Sequence, residues 1–182
     1  TWWSRFFDYP IYAYGGSPCV GNLMVDRVTP ASPLERPVVG LFPGSRPWQL
    51  RLTLGTYLVV AQELRQRFPH LDFILVQSPF IQDEDLRRAL KHPFKLGLPS
   101  TGASVAKDRL ILDNGMVIPK RMGGMGMADL TMALTIPGTN TAELACAGIP
   151  FAITLHRLAY LAGGGLSGII ERLPIPAAWK VP

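Results

Sequence analysis

The chain has 182 residues, of which 48% are hydrophobic and 17% charged, enough apolar material for a packed core and too much for a disordered segment. With 18 Lys and Arg against 13 Asp and Glu the net charge is +5, which favours anionic partners such as phosphorylated substrates, nucleotides or an acidic membrane surface. The basic residues are scattered without a Lys/Arg block, so a nucleic-acid-binding arm is excluded, and the two cysteines, Cys19 and Cys146, form no Cys-x-x-Cys pair, as expected of a reduced cytosolic protein.

The opening TWWSRFFDYP concentrates Trp2, Trp3, Phe6 and Phe7, a poor free terminus and a better surface for packing against another domain. Residues 1–36 are read as a partner-facing or interdomain segment. It contains the turn Gly21-Asn22 and ends in the Pro-rich connector TPASPLERP. A chain that opens on Thr1 and stops at LPIPAAWKVP is expected to be a piece of a longer protein.

Val38-Val39-Gly40-Leu41-Phe42 is apolar throughout and stopped by Pro43-Gly44, the pattern of a strand buried on both faces. Leu54, Leu58, Ala61, Leu64 and Phe68 recur at spacings of three and four, predicting a helix from about Pro47 to Phe68. Asp72 to Val76 is a second strand. Asp83, Glu84 and Asp85 open a helix to about Lys91, where acids near the start and bases near the end suit the helix dipole and read as capping and solvation. Pro93 to Ala106, rich in Gly, Ser and Pro, reads as a loop. Arg109 to Leu112 is a short strand, and Arg121 to Met127 a brief helix or turn. Leu130 to Thr135 is a further strand, Pro137-Gly138-Thr139-Asn140-Thr141 starts a helix to about Ala147, and Pro150 to Leu155 makes a last strand. Alternation of this kind means an α/β fold, a Rossmann-like parallel sheet with helices on both faces.

In such sheets ligands bind beyond the carboxyl ends of the strands, where two loops carry more than turn chemistry requires. In the first, Gly44 lets backbone approach a ligand, Ser45 can cap the helix begun by Pro47, exposed amides would attract a phosphate, and Arg46 adds a fork of donors. In the second, Gly138, Thr139, Asn140 and Thr141 supply amides, hydroxyls and a carboxamide. Glu143 stands three residues after Asn140, the spacing of a capping box. A helix start built for capping is also built for anions. His70, His92 and His156 are unclustered, so no metal site is expected, and the group Met122, Met125, Met127 reads as flexible packing. No phosphate-loop or dinucleotide fingerprint is present.

GNLMVD, then LFPGSRPWQL before a long helix, then ADLTMALTIPGTNTAELACAGIP, resembles the order of motifs in lipid-A-disaccharide synthases, over about Cys19 to Leu155. More distant likenesses are to other glycosyltransferases of the two-Rossmann-domain (GT-B) class and to UDP-GlcNAc 2-epimerases. The resemblance implies that the chain is the C-terminal, donor-binding half of a GT-B enzyme, passing sugar from a UDP-GlcNAc-type donor to a lipid-linked or phosphorylated sugar acceptor with inversion. Gly44, Ser45 and Arg46, completed by Gly138, Thr139, Asn140 and Thr141, would then hold the diphosphate. Glu143 would bind the uridine ribose, and Gly21 and Asn22 would lie at the entrance from the other domain. That other, N-terminal domain would bind the acceptor and carry the general base. No cofactor is implied beyond the UDP-sugar itself as donor substrate.

The resemblance thus implies that residues 37–155 are the nucleotide-sugar-binding domain. Residues 156–182 are an apolar C-terminal segment, whose stretch Leu158 to Ile170 falls short of the roughly 20 residues a membrane helix needs. The expected place is the cytoplasm, with contact to the inner face of a membrane left open. Competing readings are an epimerase on the same scaffold, which would need carboxylates and a His at the cleft, and a non-catalytic domain whose apolar segments meet a partner or membrane.

Overall fold

The computed structural model describes residues 36–154, apart from 95–96, 124–126 and 128. The aromatic opening, Cys19, the Gly21-Asn22 turn, Met125, His156 and the apolar C-terminal segment lie outside the described residues. Strand β1 (Val38–Phe42) leads into helix α1 (Pro47–Arg67), then β2 (Asp72–Gln77) and α2 (Asp83–Lys91). Strands β3 (Ala103–Val105), β4 (Arg109–Leu112) and β5 (Val117–Met122) follow, then β6 (Met132–Thr135), α3 (Thr139–Cys146) and β7 (Phe151–Ile153). They form one sheet in the order β3-β4-β5-β2-β1-β6-β7. The strands β5, β2, β1, β6 and β7 run parallel, and β4 runs against both of its neighbours.

The apolar runs of β1 and β2 serve two cores at once, because successive side chains point to opposite faces. Val39, Leu41, Phe73 and Leu75 pack with Leu54, Leu58 and Ala61 of α1 and Leu86 of α2. Phe42, Ile74 and Val76 pack on the other face with Ala133, Met127 and Leu144 of α3. Helices therefore cover both faces, as the alternation of elements predicts.

Two expectations are corrected. The stretch from Pro93 to Ala106 contains β3, and Arg121 and Met122 end a strand rather than form a helix or turn. The cause is a hairpin. Gly115 takes a φ of +83°, the Asn114 side chain accepts the Met116 amide at 3.0 Å, and the chain reverses to lay β5 beside β4. Pro119 is tolerated inside β5 because it stands opposite Arg109 of β4, just before pairing with β2 begins at Lys120.

Candidate functional site

Strand β1 lies between β2, which follows it through α1, and β6, which the chain reaches only after crossing to the far side. Chain order reverses at β1, and in open sheets such a reversal marks the carboxyl ends of the two strands, here β1 and β6, as the place where a ligand crevice is expected. The last rung there pairs Phe42 with Thr135. Residues 43–46 and 136–138 leave it side by side. Gly44, at φ +115°, is packed so closely that a Cβ would come within 2.9 Å of Ile136 Cδ1 and 2.7 Å of Gln49 Oε1. The two loops singled out in the sequence thus start from the same end of adjacent strands, and Gly44 packs on Ile136, two residues before Gly138.

In the first turn Ser45 and Arg46 are exposed. Ser45 does not cap α1. Arg46 takes the cap position with extended backbone, and since a guanidinium has no acceptor, the capping is done from inside the helix. Gln49 Oε1 accepts the Ser45 amide at 2.9 Å and the Arg46 amide at 3.1 Å. The buried Thr53 hydroxyl anchors the turn from below by donating to the Pro43 carbonyl at 2.7 Å. The Arg46 guanidinium makes no ion pair with a described residue.

The second turn starts α3 earlier than its sequence suggests. Gly138, not Asn140, is the cap residue, so Glu143 lies too far along the helix to close a capping box. The Thr141 hydroxyl instead donates to the Gly138 carbonyl. Thr139 is exposed, while Asn140, Thr141 and Glu143 are half-buried. Burial pushes the Glu143 carboxyl above its ordinary pKa, and no charge partner offsets that shift.

Beneath the crevice the Tyr57 hydroxyl meets Thr154 Oγ1 at 2.5 Å, and the Thr154 amide donates to the Thr135 carbonyl at 2.8 Å. Burial pushes the Tyr57 phenol up to about 12, the hydrogen bond to Thr154 opposing it. This contact ties α1 to the ends of β6 and β7. Gln49 and Tyr57 escape the sequence reading for different reasons. A Gln in the first turn is a capping signal, whereas Tyr57 is one more apolar position on a periodic helix.

A second polar cluster stands at the end of β2. Asp85 accepts the Gln82 amide at 3.0 Å, as capping requires. Asp83 does more, because it receives Lys120 Nζ from β5 and lies 3.4 Å from Gln77 Nε2. Burial raises the Asp83 pKa, but hydrogen bonding and charge from Lys120 outweigh it and leave the carboxyl below its usual range. A cavity of about 330 Å³ lined by Val38, Asp72, Ile74 and Val117 lies at the opposite, amino end of the strands, away from both turns. Among the described residues no cluster of His, Cys, Asp and Glu is placed to hold a metal, and no helix is long and apolar enough to cross a membrane.

No family model matches the chain. It is 32% identical over 160 residues to a lipid-A-disaccharide synthase of Geobacter sulfurreducens, covering 81% of the chain and 37% of that protein. It is 31% identical over 172 residues to that of Geobacter metallireducens, covering 86% of the chain and 40% of the relative. A third, from Trichlorobacter lovleyi, is 30% identical over 164 residues, covering 81% and 37%. The chain is lipid-A-disaccharide synthase-like. The resemblance read from the motif order is borne out, and so is the Rossmann-like α/β fold. The chain spans about two fifths of the length of these relatives.

Proposed function

We propose that this lipid-A-disaccharide synthase-like chain is the donor-binding domain of an inverting GT-B glycosyltransferase. It takes a UDP-sugar of the UDP-GlcNAc type and passes the sugar to a lipid-linked or phosphorylated sugar acceptor. The observation that carries this reading is that the Gly44 and Gly138 turns leave the same end of adjacent parallel strands at the reversal of chain order, with Gly44 packed on Ile136. A diphosphate in that crevice has the Ser45 hydroxyl and Arg46 guanidinium on one side. On the other stand the hydroxyls of Thr139 and Thr141, the Asn140 side chain and the amides that open α3.

Transfer breaks the bond between the anomeric carbon and the diphosphate oxygen, so negative charge grows on the departing UDP. Arg46 and the amino end of α3 stabilise that charge in place, without reorganising as it forms. Glu143, ionised, accepts hydrogen bonds from the ribose diol. The acceptor hydroxyl attacks from the opposite side, and the base that takes its proton belongs to a part of the enzyme beyond this chain, which also binds the acceptor. An acceptor carrying lipid places the work at the cytoplasmic surface of a membrane.

The test is thermal denaturation of the 182-residue chain with nucleotides. UDP at a hundred times its dissociation constant stabilises the folded state by about 2.7 kcal/mol. UDP and UDP-GlcNAc are expected to raise the melting temperature, and Arg46→Ala to abolish the rise. An equal rise with ADP, or none with UDP, overturns the assignment.

A further inference from the structure

The amino end of α1 offers a phosphate fewer amides than its sequence promises. Gln49 folds back over the turn, and its Oε1 accepts the amides of Ser45 at 2.9 Å and Arg46 at 3.1 Å. The next residue, Pro47, has no N–H. The amides of Gln49 and Leu50 both return to the Arg46 carbonyl, at 3.0 and 3.2 Å, and those of Gly44 and Trp48 donate to no described residue. Nor is there slack on the inner side of the turn, since even a methyl group on Gly44 would stand 2.7 Å from both Cβ and Oε1 of Gln49. A phosphoryl oxygen seeking the Ser45 and Arg46 amides would meet the carboxamide already in its place. The second turn differs. There the Thr141 amide goes to the Gly138 carbonyl at 3.1 Å, while the amides of Thr139 and Asn140 donate to no described residue.

We infer that Gln49 is a positioning residue of the donor site. It holds the turn by the amides of Ser45 and Arg46, so that these two residues reach a phosphate through the Ser45 hydroxyl and the Arg46 guanidinium and not through their backbone. The inference rests on the donor-binding reading. A neutral carboxamide suits the task. It accepts two amides without adding negative charge beside an anion, whereas a carboxylate would hold the turn equally well and repel the ligand.

The experiment measures amide hydrogen exchange by NMR, together with UDP and uridine affinities, for the wild-type chain, Gln49→Ala and Gln49→Glu. In Gln49→Ala the amides of Ser45 and Arg46 should exchange faster, and UDP should bind about five- to tenfold more weakly, the worth of about one hydrogen bond. Uridine, lacking the diphosphate, should bind all forms alike. Gln49→Glu should keep both amides slow and still weaken UDP, which a merely structural residue rescued by its near-isostere would not do. Equal or tighter UDP binding by Gln49→Ala overturns the inference, because the freed amides would then be serving the phosphate. Unchanged exchange at Ser45 and Arg46 overturns it as well. A wild-type chain that binds no UDP defeats the donor-binding reading instead, and the exchange rates still decide whether Gln49 holds the turn.

Discussion

At Gly44 two constraints coincide, a backbone conformation closed to most side chains and neighbours that leave no room for one. With φ at +115°, an added methyl group would press on Gln49 and Ile136 together, and so on both turns of the crevice. Gly44→Ala should therefore cost about 1–3 kcal/mol in stability and remove stabilisation by UDP, both read from thermal denaturation. An unchanged melting temperature would show that the turn is looser than its packing implies. Glu143 makes a prediction in pH. Its pKa is raised by burial, so the folded chain favours the protonated acid. Ionising it costs stability as pH rises from the ordinary Glu value, near about 4.3, through the raised one. Ribose binding needs the ionised form, so UDP affinity should fall on acidification, beginning at a higher pH than an ordinary Glu would give. Glu143→Gln should flatten that profile and leave the ligand-free chain slightly more stable at neutral pH. A wild-type profile as flat as the variant's would remove Glu143 from the ribose. The sequence showed which residue types gather at these turns, but not which hydrogen bonds they make. Whether Ser45, Arg46 or Gln49 caps α1 turns on where one helix begins, to within a single residue.

Elements were legible where hydrophobic period and length agreed. The boundaries of β1, of α2 and, to within a residue, of α1 and β2 follow from apolar runs, spacing by three and four, and end signals. The strand β5 hid itself because Val117-Ile-Pro-Lys-Arg-Met122 mixes a proline with two cations, and each is tolerated for a reason outside the segment. Pro119 sits where pairing passes from β4 to β2, and Lys120 is neutralised by α2. The Asn114-Gly115 dipeptide was the available signal. The same hidden strand changes the meaning of Asp83, which reads as a capping acid until β5 brings Lys120 beside it. The Lys120 side chain is only 4% exposed, against 31% for Asp83. Asp83→Asn would strand a buried ammonium and should cost about 2–4 kcal/mol in urea denaturation, less than a wholly buried pair because Asp83 keeps some solvent. Asp83→Asn with Lys120→Met should recover most of that loss. Because the Asp83 pKa is depressed, its contribution is present above the ordinary Asp value, about 3.9, and fades as pH falls through the lower native one. A shift no larger than that of the exposed Glu84→Gln would mean that the pair contributes nothing.

For the molecule as a whole, topology brings two unremarkable turns to the same end of adjacent strands. Neither Gly-Ser-Arg nor Gly-Thr-Asn-Thr specifies a ligand, and what joins them is the reversal of strand order at β1, which places their strands in one ladder. The alternation of elements was readable in advance, while the strand order and the local bonding at the two turns were not. The ladder also reaches far along the chain: the Val38 amide donates to Thr131 Oγ1, 93 residues on. At about 5–20 residues per second of synthesis, the earlier turn emerges roughly 5–20 seconds before the later one. Throughout that interval a nascent chain holds half a cradle, with nothing to grip a nucleotide. On the donor-binding reading proposed above, affinity would arise all at once when the last strands dock, and a nucleotide would reward only a finished fold.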